Sequence, residues 1–144
     1  MDRSFEFAPT FELTLARAIP APPATVFDAW LDPKKPGGPW FGVKALVLDP
    51  VPGGLFYHAV TFEGREWAHY GRFLVIDRPK KIEHTWVSAA TRGLESVLTL
   101  TFAAEGEGTL LTLHHAGLPD DAMGRRHEEG WRLGLDGLHD DYQL

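Results

Sequence analysis

Residues 95–142 read ESVLTLTFAAEGEGTLLTLHHAGLPDDAMGRRHEEGWRLGLDGLHDDY, and a change of period inside this stretch decides the fold. Up to Ala116 apolar and polar residues alternate, the mark of strands with one buried face. Two strands are predicted, Glu95–Ala104 and Thr109–Ala116. The short link Glu105-Gly106-Glu107-Gly108 makes them an antiparallel hairpin. After Pro119-Asp120-Asp121 the period lengthens. Met123, His127, Trp131, Leu135, Leu138 and Tyr142 recur at spacings of three and four, which is one face of a long helix. Pro at a first turn and acids beside the positive helix end both suit a helix start there.

Upstream the same alternation gives further strands at Val43–Leu48, Leu55–Phe62, Trp67–Asp77 and Lys81–Val87. Pro52-Gly53-Gly54, Glu63-Gly64, Arg78-Pro79 and Thr91-Arg92-Gly93 separate these pieces as turns. A first strand spans Phe11–Ile19. Pro20, Pro22 and Pro23 end it, and Val26, Phe27, Trp30 and Leu31 then share a helical face that Asp32-Pro33 closes. Lys34–Gly42 is rich in Pro and Gly and holds at most a turn of helix. The order predicts an α+β chain. A curved antiparallel six- to seven-stranded sheet wraps around a long C-terminal helix, with one or two short helices after strand 1. A sheet with one apolar face must cover that face, and the terminal helix is the one long element available.

The 144 residues fit a single domain, 1–144 with its core at 11–139. The net charge of −6, with basic residues only in short pairs such as Lys34-Lys35 and Lys80-Lys81, argues against a nucleic-acid partner. The absence of cysteine excludes disulfides, thiolate metal sites and a cysteine nucleophile. Residues 1–9 lack the basic start and apolar run of a secretory signal, and no stretch has membrane-span length. A cytoplasmic protein with no membrane partner is expected. Neither a phosphate-binding loop nor a dinucleotide fingerprint occurs, and none of Ser4, Ser88 and Ser96 sits in a nucleophile elbow. No cofactor, metal or catalytic residue is assigned.

Several landmarks in fixed order carry a resemblance. They are Pro23-Ala24-Thr25-Val26-Phe27-Asp28-Ala29-Trp30, Trp40-Phe41-Gly42, Gly53-Gly54, Gly71, the Asp77-Arg78-Pro79 corner, Thr85-Trp86, Gly108-Thr109-Leu110-Leu111-Thr112-Leu113 and His127-Glu128-Glu129-Gly130-Trp131. Over residues 11–139 the chain resembles the activator of heat-shock-protein-90 ATPase homologue family, part of the SRPBCC group with START-like helix-grip folds. The resemblance implies a cavity between sheet and helix. Most bacterial members look like ligand-binding proteins without an assigned ligand. The eukaryotic co-chaperone carries an additional N-terminal domain for its chaperone contact, for which this chain leaves no room, so ATPase activation is not expected. Two departures stand out. Residues 33–39 are less helical than usual, and the terminal helix carries Gly134 and Gly137 besides the family-like Gly130.

Strand alternation sorts the histidines by face. Phe56 and His58, then His69 and Phe73, then His84 and Trp86, then Leu113 and His115 are expected on the concave side. Four imidazoles would point to one interior, with His114 turned outward. These imidazoles have three readings. They can be half-exposed or bonded to main-chain carbonyls near strand ends. They can be a polar patch in a ligand cavity, or they can converge on a metal. With the rings of Phe41 and Trp131, the candidate cavity residues are Phe41, Phe56, His58, His69, Phe73, His84, Trp86, His115 and Trp131. Gly130, Gly134 and Gly137 form a stripe on the helix that either leaves volume for a ligand or admits another backbone. The expected function is binding of a hydrophobic or amphipathic small molecule. The alternatives are a cyclase-, hydratase- or isomerase-type enzyme acting on a polyketide-like or aromatic substrate through His58 or His84, and a protein-interaction module. A homodimer is compatible with the sequence.

Overall fold

The computed structural model describes residues 9–142, so the N-terminal stretch read above for a signal lies mostly outside the described residues. The chain runs β1 (Thr10–Ile19), α1 (Pro23–Trp30), β2 (Ala45–Leu48), β3 (Leu55–Phe62), β4 (Arg65–Asp77), β5 (Lys81–Ser88), β6 (Ser96–Glu105), β7 (Gly108–Pro119) and α2 (Ala122–Tyr142). All seven strands join one antiparallel sheet in the order β1-β7-β6-β5-β4-β3-β2. β1 is thus carried across the molecule to close against β7, and the other strands follow as hairpins.

One short helix follows β1. Residues 33–43 continue instead as successive hydrogen-bonded turns, as the proline and glycine content requires. A 3₁₀ turn at Ala89–Thr91, closed by reciprocal Ser88 and Thr91 side-chain bonds, was not legible as a separate element. Pro119 ends β7 rather than opening α2. Asp121 supplies the cap, its Oδ1 accepting from the Gly124 N–H at 2.7 Å.

Alternation decides burial in β1, where Leu13 and Ile19 are buried and Glu12 and Thr14 are exposed. The core joins the inward faces of the strands to α1 through Val26, Phe27 and Trp30, and to α2 through Trp131, Leu135 and Leu138. α2 lies mainly over β1 and β7, and α1 over β6 and β7. The inner face of β3–β5 is covered by rings instead of by a helix backbone.

The turns after α1 dock on the end of α2. Lys35 forms an ion pair with Asp141 and sits over the Tyr142 ring at 4.3 Å. Gly37, at φ +80, packs against the helix: an added Cβ would lie 2.8 Å from the Gly137 carbonyl oxygen. An added Cβ on Gly137 would make only ordinary contact, 3.6 Å from the Gly37 carbonyl oxygen, while Gly130 and Gly134 have nothing within 4 Å of an added Cβ.

These surroundings predict opposite signs for two Gly→Ala substitutions. Gly37→Ala combines a disfavoured backbone with a collision and should cost about 2 kcal/mol or more. Gly134→Ala meets open space and should gain up to about 1 kcal/mol. Urea unfolding of both variants checks this, and equal signs would contradict the packing described.

Candidate functional site

The inward faces of β3, β4 and β5 bring a cluster of rings together. His58 on β3 is the direct cross-strand partner of His69 on β4, and their rings stack at 4.3 Å, 5° from parallel. Such pairs stand close enough for ring contact. Phe56 stacks on His84 at 4.3 Å, and Trp86 lies 5.6 Å from Phe56, 4.8 Å from His69 and 5.1 Å from Trp131. The expected common face therefore forms. His114 points the other way, 3.2 Å from Glu12.

Trp86 joins two polar chains. Its indole N–H donates to Nε2 of His127 at 3.2 Å, and Nδ1–H of His127 donates to the Gly124 carbonyl at 3.0 Å. The Trp86 carbonyl accepts from the Ser96 hydroxyl at 2.6 Å. The Ser96 oxygen in turn lies 2.8 Å from Nε2 of His115, whose Nδ1 accepts the Trp131 indole N–H at 3.0 Å. An indole only donates, so each bond fixes a tautomer: His127 carries its proton on Nδ1 and His115 on Nε2. His84 donates from Nδ1 to the Thr85 carbonyl at 2.8 Å. Both indole bonds use up the imidazole lone pair.

Two voids adjoin this cluster. The outer is an open cleft of about 480 Å³ between α2 and the ends of β3 and β4. Val60, Phe62 and Trp67 form one wall, Met123, His127 and Gly130 the other, with Glu63 and Arg126 also bordering it. The inner pocket, about 210 Å³, is bounded by Trp40, His58, Trp131 and Gly134. Trp86, His127 and Gly130 border both. Four buried nitrogens on these residues have no hydrogen-bond partner: Nε1 of Trp40, Nδ1 of His58, Nε1 of Trp67 and Nδ1 of His69.

Of the nine residues expected at a cavity, His58, His69, Trp86 and Trp131 border the voids. Phe56, Phe73, His84 and His115 are buried behind them as supporting core. Phe41 is 53% exposed and borders neither void, and its neighbour Trp40, 3% exposed, occupies the inner position. No period in residues 33–43 distinguishes those two rings. His127, Met123 and Trp67 were also missed, although His127 and Met123 share the helical face of Trp131 and Trp67 the strand face of His69. Among the described residues no group of three or more His, Asp or Glu side chains is placed to hold a metal. The outer void is an open cleft at the edge of the sheet–helix interface.

The family model described as "Activator of Hsp90 ATPase homolog 1-like protein" matches residues 20–140. The chain belongs to that family. Among solved structures of similar fold is Mll3558 from Rhizobium loti, 23% identical with a TM-score of 0.80, covering 94% of this chain and 99% of that one. Protein CV1439 from Chromobacterium violaceum is 24% identical with a TM-score of 0.77, covering 92% and 97%. The AHSA1 protein from Silicibacter pomeroyi is 27% identical with a TM-score of 0.73, covering 91% and 96%. No curated protein matches the chain. As in the family's helix-grip architecture, a curved antiparallel sheet holds a long terminal helix. No helix among the described residues is long and apolar enough to cross a membrane.

Burial governs the charge state of this family member's interior. It holds His58 down to about 3, with His69 and His84 adding repulsion, and His69 down to about 4, with His127 adding to the effect. It holds His84 to about 4 and His115 to about 2, and it lowers His127 as well. All five are neutral at pH 7. Below their ordinary 6.5 the unfolded chain takes up protons that the folded protein refuses, so stability is present above that value and is lost as pH falls toward the folded values. The loss should reach about 1 kcal/mol per buried imidazole for each pH unit below about 6. Urea unfolding between about pH 7 and pH 5, above the carboxylate range, measures it. A flat profile would mean that these imidazoles are solvated.

Proposed function

We propose that this protein binds an apolar or partly polar small molecule in the cleft between α2 and β3–β5. One observation carries the proposal: two adjoining, mostly apolar voids lined by residues that carry four buried nitrogens without partners. Ligand sites combine apolar walls with a few convergent polar groups. An unpartnered buried polar atom costs about 1–3 kcal/mol, so four on residues around these two voids are a sizeable penalty that a ligand with acceptor atoms would relieve.

Holding a ligand fits the chemistry better than transforming one. Acid–base catalysis works best with a pKa near the operating pH. Burial keeps His58 and His84, the two imidazoles considered for that work, at about 3 and about 4. The lone pairs of His115 and His127 are already occupied by indoles. The cysteine-free composition accords with a cytoplasmic location, which is part of this proposal.

Native mass spectrometry of freshly purified protein tests the binding directly, because a retained small molecule adds its mass. In parallel, 2-naphthol should raise the melting temperature in proportion to occupancy. Gly130→Leu places a side chain in the cleft, where an added Cβ meets nothing within 4 Å. The variant should stay folded and lose that rise. Absence of any adduct, together with an unmoved melting temperature across an apolar panel, would overturn the proposal.

A further inference from the structure

The inner pocket is chemically unlike the cleft outside it. The Trp40 and His58 rings stand 4.9 Å apart, both more than nine-tenths buried, both line this pocket, and each carries a buried nitrogen without a hydrogen-bond partner. Nε1 of Trp40 can only donate, and Nδ1 of His58 donates in one of its two neutral tautomers. What the pocket lacks is an acceptor. No Lys or Arg borders it, so a carboxylate would lose its hydration without a counter-charge. A neutral acceptor is the better match. Between this pocket and the cleft stands the Trp86–His127 hydrogen bond, whose two residues border both voids.

The geometry points to a carbonyl-binding subsite at Trp40 and His58. It would take the ketone, aldehyde or ester end of a ligand whose apolar body fills the outer cleft, with the Trp86–His127 pair as its gate. This rests on the binding function proposed above. Opening the gate breaks one neutral hydrogen bond. Seating the carbonyl, with a small turn of the two rings that uncovers these nitrogens, gives the Trp40 N–H, and His58 in its Nδ1–H form, an acceptor. Gly130, beside the gate on α2, leaves the passage free of a side chain.

Three probes of one shape separate the possibilities: 2-acetylnaphthalene with a neutral acceptor, 2-ethylnaphthalene with none, and 2-naphthoate with a charged one. The ketone should bind roughly ten-fold tighter than the hydrocarbon, the worth of one well-buried hydrogen bond. It should also shift the Trp40 indole N–H resonance, assigned through Trp40→Phe. That preference should vanish in Trp40→Phe and shrink in His58→Phe, both of which keep a ring in place. His127→Leu, which removes the acceptor for the Trp86 indole, should speed ketone association several-fold in stopped-flow fluorescence.

Equal affinity for ketone and hydrocarbon, or a preference that survives Trp40→Phe, overturns the subsite while leaving cleft binding intact. Tightest binding by naphthoate overturns the neutral-acceptor assignment. An unchanged association rate in His127→Leu overturns the gate. If none of the three probes binds, the parent proposal falls and this one falls with it.

Discussion

One helix cannot cover seven strands, and the rest of the architecture answers that mismatch. Neighbouring strands stand about 4.8 Å apart, so the sheet is roughly 29 Å across, against about 10–12 Å for a helix with its side chains. α2 lies over β1 and β7, and α1 lies over β6 and β7. The remaining concave surface, on β3, β4 and β5, can be kept from water only by large side chains. This explains why Phe56, Trp86, Trp40 and Trp131 meet there rather than being spread through the core. Where the rings stop short of α2, the cleft begins.

Filling space with indole and imidazole rings has a second consequence. Each brings nitrogens that must find partners away from water. Trp86 resolves several of these at once, donating to His127 and accepting from Ser96, which connects onward to His115 and Trp131. That satisfied chain links β5, β6, β7 and α2, and it holds both imidazoles neutral in defined tautomers. Apart from Arg17 Nε, the unsatisfied buried side-chain nitrogens among the described residues lie on the other side, on Trp40, His58, Trp67 and His69. The interior thus divides into a polar network that is complete and a polar fringe that is not, with Trp86 between them.

How much of this was legible follows from where the chain has a period. Strand alternation placed His58, His69, His84 and His115 on one face, and the structure buries or half-buries all four there. The 3.6-residue period placed Trp131 on the buried side of α2. A residue-by-residue period says which way a side chain points but not what stands opposite it. For that reason Phe56, Phe73 and His84 could not be told apart from residues bordering a void, since that depends on how far α2 reaches across the sheet. The choice between Trp40 and Phe41 was beyond the sequence for a different reason. It is settled by Gly37 seating against Gly137 and by Lys35 pairing with Asp141, contacts between segments about a hundred residues apart.

The glycine stripe and the unpartnered nitrogens are two independent costs, and they coincide in space. Gly130 and Gly134 give up helix propensity at positions where an alanine Cβ would touch nothing. Trp40 and His58 leave nitrogens without partners where an apolar ring would pack as well. Gly37 differs, because close contact with α2 accounts for it. Packing therefore requires glycine at none of the three stripe positions. Natural sequences agree with themselves at most positions, and local conflicts concentrate where a site is kept open. Both conflicts here border the same inner pocket, with Trp131 between the two glycines and the indole of Trp40 within 4.9 Å of the His58 ring. Stability alone would fill that space; occupancy by something other than protein is the condition under which leaving it open is not a loss.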